Sequence, residues 1–408
     1  MDADVLVIGA GAAGIAAARA LRGAGRSVLV LEARDRVGGR AWTRQTPHGP
    51  WDAGATWLHS GATNPLTPLA RGLGIPLAEY DALGEKITFI AGRRATPAEA
   101  AELAEARAAF HRRTAAAGGG SLAEVAPRSG PWAATVVAWE AEVIAAASLE
   151  ALDLEDYAAT VLDPPNLLPA GGVDALLARL AEGLPIRLGS PVLGLDWSGP
   201  GVAARLAGGD VTAHAAVVTL PTPLLATLPF DPPLPDPLRQ AAADLPLGLL
   251  TKAMLPAAGA DRLDLPPFSA ADRRIAPGET LVTFVFWPHG LPQAWGFVGG
   301  PAAWGLSPEA TIALMRAEIS QRFGARGEAA FDWSAALASD WGGDPWSRGA
   351  YSHARPGAAG ARGRLAAPLA GGRLVLAGEA CHPTLAGTVG GAWLSGEAAA
   401  ARVMSPLQ

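Results

Sequence analysis

Three glycines, Gly9, Gly11 and Gly14, stand in a G-x-G-x-x-G pattern directly after the apolar run VLVI and at the start of an alanine-rich stretch. In a strand–turn–helix context the first permits a tight turn, the second lets backbone approach a pyrophosphate, and the third lets helix and strand pack closely. Glu32 closes the next apolar run, SVLVLE, 18 residues beyond Gly14. A carboxylate at that distance accepts hydrogen bonds from ribose hydroxyls. A purely structural glycine turn is the alternative. A second unusual residue is Lys252, alone in the apolar stretch GLLTKAML; of 32 basic residues only Lys86 and Lys252 are lysines. A buried ammonium is costly and needs a partner or a depressed pKa, whereas an edge-strand lysine would simply face solvent. His59, two residues after Trp57, is either a hydrogen-bonded structural histidine or a group that meets a ligand. Cys381 is the single cysteine, so no internal disulfide and no cysteine metal cluster can form, and no metal site is predicted.

The elements that would position these groups read as follows. Residues 4–8 and SVLVLE are strands around a helix from Ala12 to about Leu21, ended by Gly23 and Gly25, which makes a β-α-β unit. Residues 49–62 are glycine-rich and read as a loop. Helical patterns run over 97–117, 132–159, the segment GGVDALLARLAEG and 308–323. Short strands are predicted near 185–188 and 192–197, in HAAVVTLP, at 247–255 and within 280–298, and a strand, turn and helix close the chain from GRLVLAGEA onward. Nucleotide-type elements sit at both ends with different material between. The fold class is therefore α/β, with one Rossmann-like dinucleotide domain assembled from separated segments of the chain.

With 408 residues, half of them hydrophobic and 17% charged, the chain is neither disordered nor short of core, and two or three domains are expected. No apolar run reaches a membrane span, and VLVIGAG begins too early to leave room for a secretory leader. A soluble, cytoplasmic protein is expected. The net charge of −6 argues against nucleic acid and suits a cationic ligand.

The continuation ARDRVGGRAWT resembles the R-x-G-G-R-x-x-[ST] pattern of two-dinucleotide-binding flavoproteins through Arg36, Gly38, Gly39, Arg40 and Thr43. With it, GATWLHSGATNPL, FDPPLPDPLRQAAADLPLGLLTKAML, DWGGDPWSRGAYS and LAGEACHPTLAGTVGGAWLSGEAAA appear in order. Over essentially its whole length the chain resembles the flavin-containing amine oxidases, the family of monoamine oxidases, polyamine oxidases and histone lysine demethylases, and is most similar to intracellular polyamine oxidases. The resemblance implies a discontinuous Rossmann-like FAD domain from segments 1–78, 165–245 and 340–408, and an α+β substrate domain, a mixed sheet flanked by helices, from 79–164 and 246–339. It implies FAD, held by Gly9, Gly11, Gly14, Glu32, Arg34, Gly39 and Arg40, by the loop Gly54, Ala55 and Thr56, and by Val192, Trp341, Glu379, Thr388 and Val389. It implies that Lys252 holds a water against the flavin N5 and that Tyr351 forms one wall of an aromatic cage whose opposite wall is Thr388. Trp57 and His59 would meet substrate. Ala350 stands where monoamine oxidases carry the cysteine that tethers flavin, which implies noncovalent FAD. Gly390 replaces the histidine of the usual GTVHGA block.

The implied reaction is oxidation of a C–N bond in a polyamine or related amine. Hydride passes to flavin N5, the imine hydrolyses, and dioxygen is reduced to hydrogen peroxide. An L-amino-acid oxidase, a desaturase of the same superfamily, or a non-catalytic FAD-binding protein are the alternatives. The partners expected are a small amine and O2, with no nucleic acid or membrane, in a monomer or homodimer. Glu79 and Asp81 read as solvated carboxylates, or as a patch for a distal ammonium.

Overall fold

The run ADVLVI carries no polar alternation, as expected of a strand covered on both faces. In the computed structural model, which describes residues 1–160 and 162–405, it forms the strand Ala3–Ile8 at the centre of a parallel arrangement. Val28–Leu31 pairs with it on one side and Gly209–Val218 on the other, with Val5 opposite both Val28 and Ala215. Among the described residues, eight strands make this sheet, drawn from residues 3–31, 186–231 and 374–376. The turn after Ala3–Ile8 depends on its glycines. Gly9 has φ 103°, a conformation side chains rarely adopt, and a Cβ on Gly14 would lie 1.9 Å from the Gly9 carbonyl oxygen, so a side chain at 14 would force the helix off the strand. The helix Ala12–Gly23 follows and packs against the last helix, Val389–Met404.

A second sheet holds seven of the described strands, in the order Leu337–Ala338, Leu250–Pro256, Gln293–Gly299, Val282–Phe286, Ser269–Arg273, Lys86–Ile90 and Arg93–Arg94. Its apolar side chains pack on the helix Pro308–Ala329 through Met315 and Ile319. Lys252 lies inside this sheet, opposite Phe297, and its backbone exchanges hydrogen bonds with Ser339 on the other side. It is therefore not an edge-strand lysine.

Two predicted elements differ. Residues 49–62 are not all loop: Gly49–Asp52 pairs antiparallel with Thr43–Thr46. The stretch 132–159 is not one helix. It is a short α-helix, Ala133–Val137, that widens into the π-helical turn Ala138–Ile144, with the separate helix Leu154–Ala159 beyond. The alanine-rich sequence masks this break, because alanine favours helix whether or not the chain continues straight. No helix of the described residues is long and apolar enough to cross a membrane.

Candidate active site

One cavity of about 1220 Å³ runs from the Gly9–Gly11 turn to Lys252 and Tyr351. That exceeds the roughly 300–1,000 Å³ of a single small-molecule pocket and leaves room for a dinucleotide together with a small substrate. Its walls include every residue predicted for the site except Gly14: Gly9, Gly11, Glu32, Arg34, Gly39, Arg40, Gly54, Ala55, Thr56, Trp57, His59, Val192, Lys252, Trp341, Tyr351, Glu379, Thr388 and Val389. Gly14 lies behind the turn, where close packing requires it.

At the nucleotide end, Gly11 gives the helix Ala12–Gly23 no side-chain cap, and no acidic residue sits in its first turn. Among the described residues no side chain caps the first-turn N–H groups, which can therefore face an anion in the geometry that holds pyrophosphates. Glu32 is buried beside them and accepts from the backbone N–H of Ala10 at 2.7 Å and of Arg34 at 2.8 Å. The guanidinium of Arg34 is committed elsewhere, to both oxygens of Asp344 and to Ser347. Arg36, too, is internal to its own loop, donating to the carbonyls of Val37, Gly39 and Ala41, so it shapes the GGR turn.

In the middle, Arg40 donates to Glu379 at 2.9 Å and to the Ala350 carbonyl at 2.8 Å. Burial alone would raise the Glu379 pKa, but Arg40, the Ser352 hydroxyl at 2.6 Å and Arg362 together hold it below the usual carboxylate range. Behind it Arg362 makes a buried two-point pair with Asp156, at 2.5 and 2.8 Å. Thr388 caps the last helix, accepting from Gly391 N and donating to the Leu385 carbonyl, so its hydroxyl proton is used within the protein. At Gly390 a Cβ would lie 2.8 Å from the Asn64 amide nitrogen, so Asn64 fills the space a histidine there would need.

At the far end the Lys252 ammonium donates to the Gly54 carbonyl and the Thr56 hydroxyl. It lies 5.4 Å from the ring centres of both Trp57 and Phe297, within the range of cation–π attraction. Burial pushes its pKa down to about 8, opposed by the negative charge of Asp52. Burial likewise pushes Asp52 up to about 7, against the Thr43 hydroxyl and Lys252. Tyr351 donates from its hydroxyl to the Val143 carbonyl at 3.1 Å, which ties the ring to the π-helical turn. Burial raises its pKa, so the phenol stays neutral. Trp341 donates to the Ala53 carbonyl at 2.7 Å and so braces the Gly54 loop.

Several lining residues were not singled out from sequence: Tyr80, Glu140, Tyr157, Asn166, His353 and Arg362. The chain has only three tyrosines and all three line this cavity, so their rarity was a usable signal for Tyr80 and Tyr157. His353 carried none. Its Nδ1 is buried without a partner among the described residues, and burial, then the Arg362 charge, press its pKa down to about 4. The unfolded chain binds that proton near pH 6.5. Between about pH 4 and 6.5 the unfolded state therefore holds more protons, so stability falls as pH drops through this window, by up to roughly 3 kcal/mol. His353→Phe is expected to flatten this part of the profile, read from melting temperatures at pH 4.5 and 7. Equal acid sensitivity in wild type and variant would show that His353 is not the source.

The sequence profile of the flavin-containing amine oxidoreductases matches residues 12–116 and 154–404. The chain belongs to this family. FAD is accordingly its cofactor, and the uncapped helix N-terminus, Glu32 and the glycine turn fit that group. Among curated relatives, lysine-specific histone demethylase 1 homolog 2 of Arabidopsis thaliana is 30% identical over 99% of this chain and 58% of the relative. Polyamine oxidase 1 of Oryza sativa subsp. japonica is 28% identical over 98% of this chain and 96% of the relative. The chain spans little more than half the length of the demethylase homologues. Of solved structures, wild-type putrescine oxidase bound to putrescine superposes with TM-score 0.80 at 24% identity, covering 99% of both chains. Cyclohexylamine oxidase from Brevibacterium oxydans gives 0.82 at 23%, covering 100% of both. These structures share the α/β fold of this chain. Among its described residues, no group of three or more His, Cys, Asp or Glu side chains could hold a metal ion.

Proposed function

We propose that this chain is an oxidase of small aliphatic amines, polyamines foremost, using noncovalently bound FAD and dioxygen. The observation that carries the reading is a buried lysine and a part-buried tyrosine that line the same cavity as the dinucleotide turn. FAD, when bound, supplies the two-electron acceptor and delivers the electrons to dioxygen as hydrogen peroxide.

The protein's part is selection and placement. Leu250, Val285, Phe297 and Trp57 make the Lys252 end largely apolar, which disfavours a protonated reacting amine and favours the neutral form that can give up a hydride. The Tyr351 ring, anchored on Val143, offers an electron-rich face to the amine nitrogen. Lys252 is held by Gly54 and Thr56 where it can donate to a water beside the reacting centre. Ala350 gives flavin no sulfur to bond. Cys381 is buried, with its thiol pushed up to about 12.

A carboxylate-bearing substrate fits less well. Of the arginines lining the cavity, Arg34, Arg40 and Arg362 each pair with a carboxylate, and Arg348 donates to Thr227. The test is peroxide release by the purified flavoprotein across putrescine, spermidine, spermine, benzylamine, several L-amino acids and a methyl-lysine peptide. Turnover of the aliphatic amines, well above the amino acids and the peptide, is the expected result. Peroxide from amino acids alone would replace this reading with an amino-acid oxidase, and from the peptide alone with a demethylase.

A further inference from the structure

Three separate segments meet behind His59. Leu58 and Leu167 exchange backbone hydrogen bonds at 2.8 and 3.1 Å, and Tyr80 N donates to the Asn166 carbonyl at 2.9 Å. The Asn166 backbone N–H donates to Asp81 at 2.5 Å, and its side-chain NH2 reaches both oxygens of the same carboxylate at 3.1 and 3.2 Å. The side-chain oxygen of Asn166 lies 2.7 Å from His59 Nδ1. Chemistry fixes the orientation of this relay. A carboxylate only accepts, so the amide nitrogen of Asn166 must face Asp81 and its oxygen must face His59. That oxygen also only accepts, so His59 Nδ1 must carry the proton. Burial keeps the ring neutral, with the Lys252 charge acting the same way, while Asn166 and the Asp81 charge act in the opposite sense. A neutral imidazole with its proton on Nδ1 has a bare lone pair on Nε2. His59 lines the cavity, and its Nε2 has no partner among the described residues.

We propose that Asn166 is a positioning residue: anchored by Asp81, it locks His59 in the Nδ1–H form and presents Nε2 to the cavity as an acceptor for a cationic N–H group of the substrate. This rests on the amine-oxidase reading for the identity of the donor, but the tautomer itself does not. The arrangement separates two tasks. The reacting amine is neutral at the Tyr351 end, and a second, charged nitrogen has an acceptor at His59, which favours diamines and polyamines over monoamines.

The test has a kinetic and a spectroscopic arm on the intact flavoprotein. In Asn166→Asp, made together with Asp81→Asn so that no second carboxylate faces the new one, a carboxylate replaces the amide oxygen at Nδ1 and stabilises the imidazolium. Nε2 then becomes a donor bearing positive charge. The expected result is a new acidic limb in kcat/KM for putrescine between about pH 6 and 8, at least about 10-fold deep and carried by KM, with recovery toward pH 9. Asn166→Ala should raise KM for putrescine about 10-fold at every pH and leave that for benzylamine nearly unchanged. Ring ¹⁵N spectra, with the His59 signals assigned through His59→Gln, should show Nδ1 protonated and Nε2 bare in wild type. A wild-type ring protonated on Nε2, or Asn166 variants with wild-type KM and pH profile, would overturn the proposal. If no amine is oxidised at all, the amine reading fails, while the ring spectrum still decides whether Asn166 sets the tautomer.

Discussion

Lys252→Met is expected to fold, to retain yellow FAD, and to turn over amines about 100-fold more slowly. Methionine follows the lysine stem in length and keeps its place opposite Phe297 within the sheet. It removes the ammonium from the Gly54 carbonyl, which still accepts from the Thr56 hydroxyl at 3.3 Å, and it also removes the desolvation cost of a buried ammonium, so stability should change little. What it cannot supply is a proton donor at that point, and positioned proton donors are worth about 10²–10⁴ in rate. Stopped-flow measurement of amine-dependent flavin bleaching and of oxygen-dependent recovery separates the two half-reactions. Unchanged rates in both would remove Lys252 from the chemistry. Because burial depresses the lysine pKa, the wild-type activity that depends on the ammonium should be lost as pH rises through about 8, and the variant should lack that limb.

Asp156→Ala should be the most destabilising change near the cavity. Asp156 holds the buried Arg362 at two points and accepts from Ala354 N at 3.1 Å. Removing one partner of a buried pair leaves an uncompensated charge, at a cost of about 3–5 kcal/mol. A melting temperature lower by roughly 5–10 °C is expected. Replacing both partners with apolar residues, as Asp156→Leu with Arg362→Met, should recover much of the loss, because the uncompensated charge goes with the pair. A single variant as stable as wild type would mean that Arg362 finds other partners. The ion pair is joined through Ser352 to Glu379 and Arg40, so loosened FAD is expected to accompany the lower melting temperature.

Much of the site was legible in the sequence because its signals are local. The glycines of the first turn, the glutamate after the second strand and a lone lysine in an apolar run each announce a constraint that few other residue types meet. The side chains those signals imply do gather along one cavity. What was not legible depends on contacts between segments distant in sequence. Asn166 matters only because Asp81 and His59 flank it, 85 and 107 residues away. Arg362 and Asp156 are 206 residues apart, and neither lies in a recognisable pattern. Arg34 and Thr388 show the converse limit: position in a motif brought them to the cavity, but their polar groups are spent on Asp344 and on capping a helix. The broken helix over 132–159 was hidden by alanine, yet its π-helical turn supplies the carbonyl that anchors Tyr351.

The central claim is that an amine placed between Lys252 and Tyr351 surrenders two electrons to FAD held along the rest of the cavity. Anaerobic titration of the purified yellow protein with putrescine tests it most directly. The account predicts full bleaching of the flavin absorbance at one amine oxidised per flavin, with colour restored on admitting oxygen. A flavin spectrum that stays oxidised in the presence of putrescine, spermidine and benzylamine alike would contradict it.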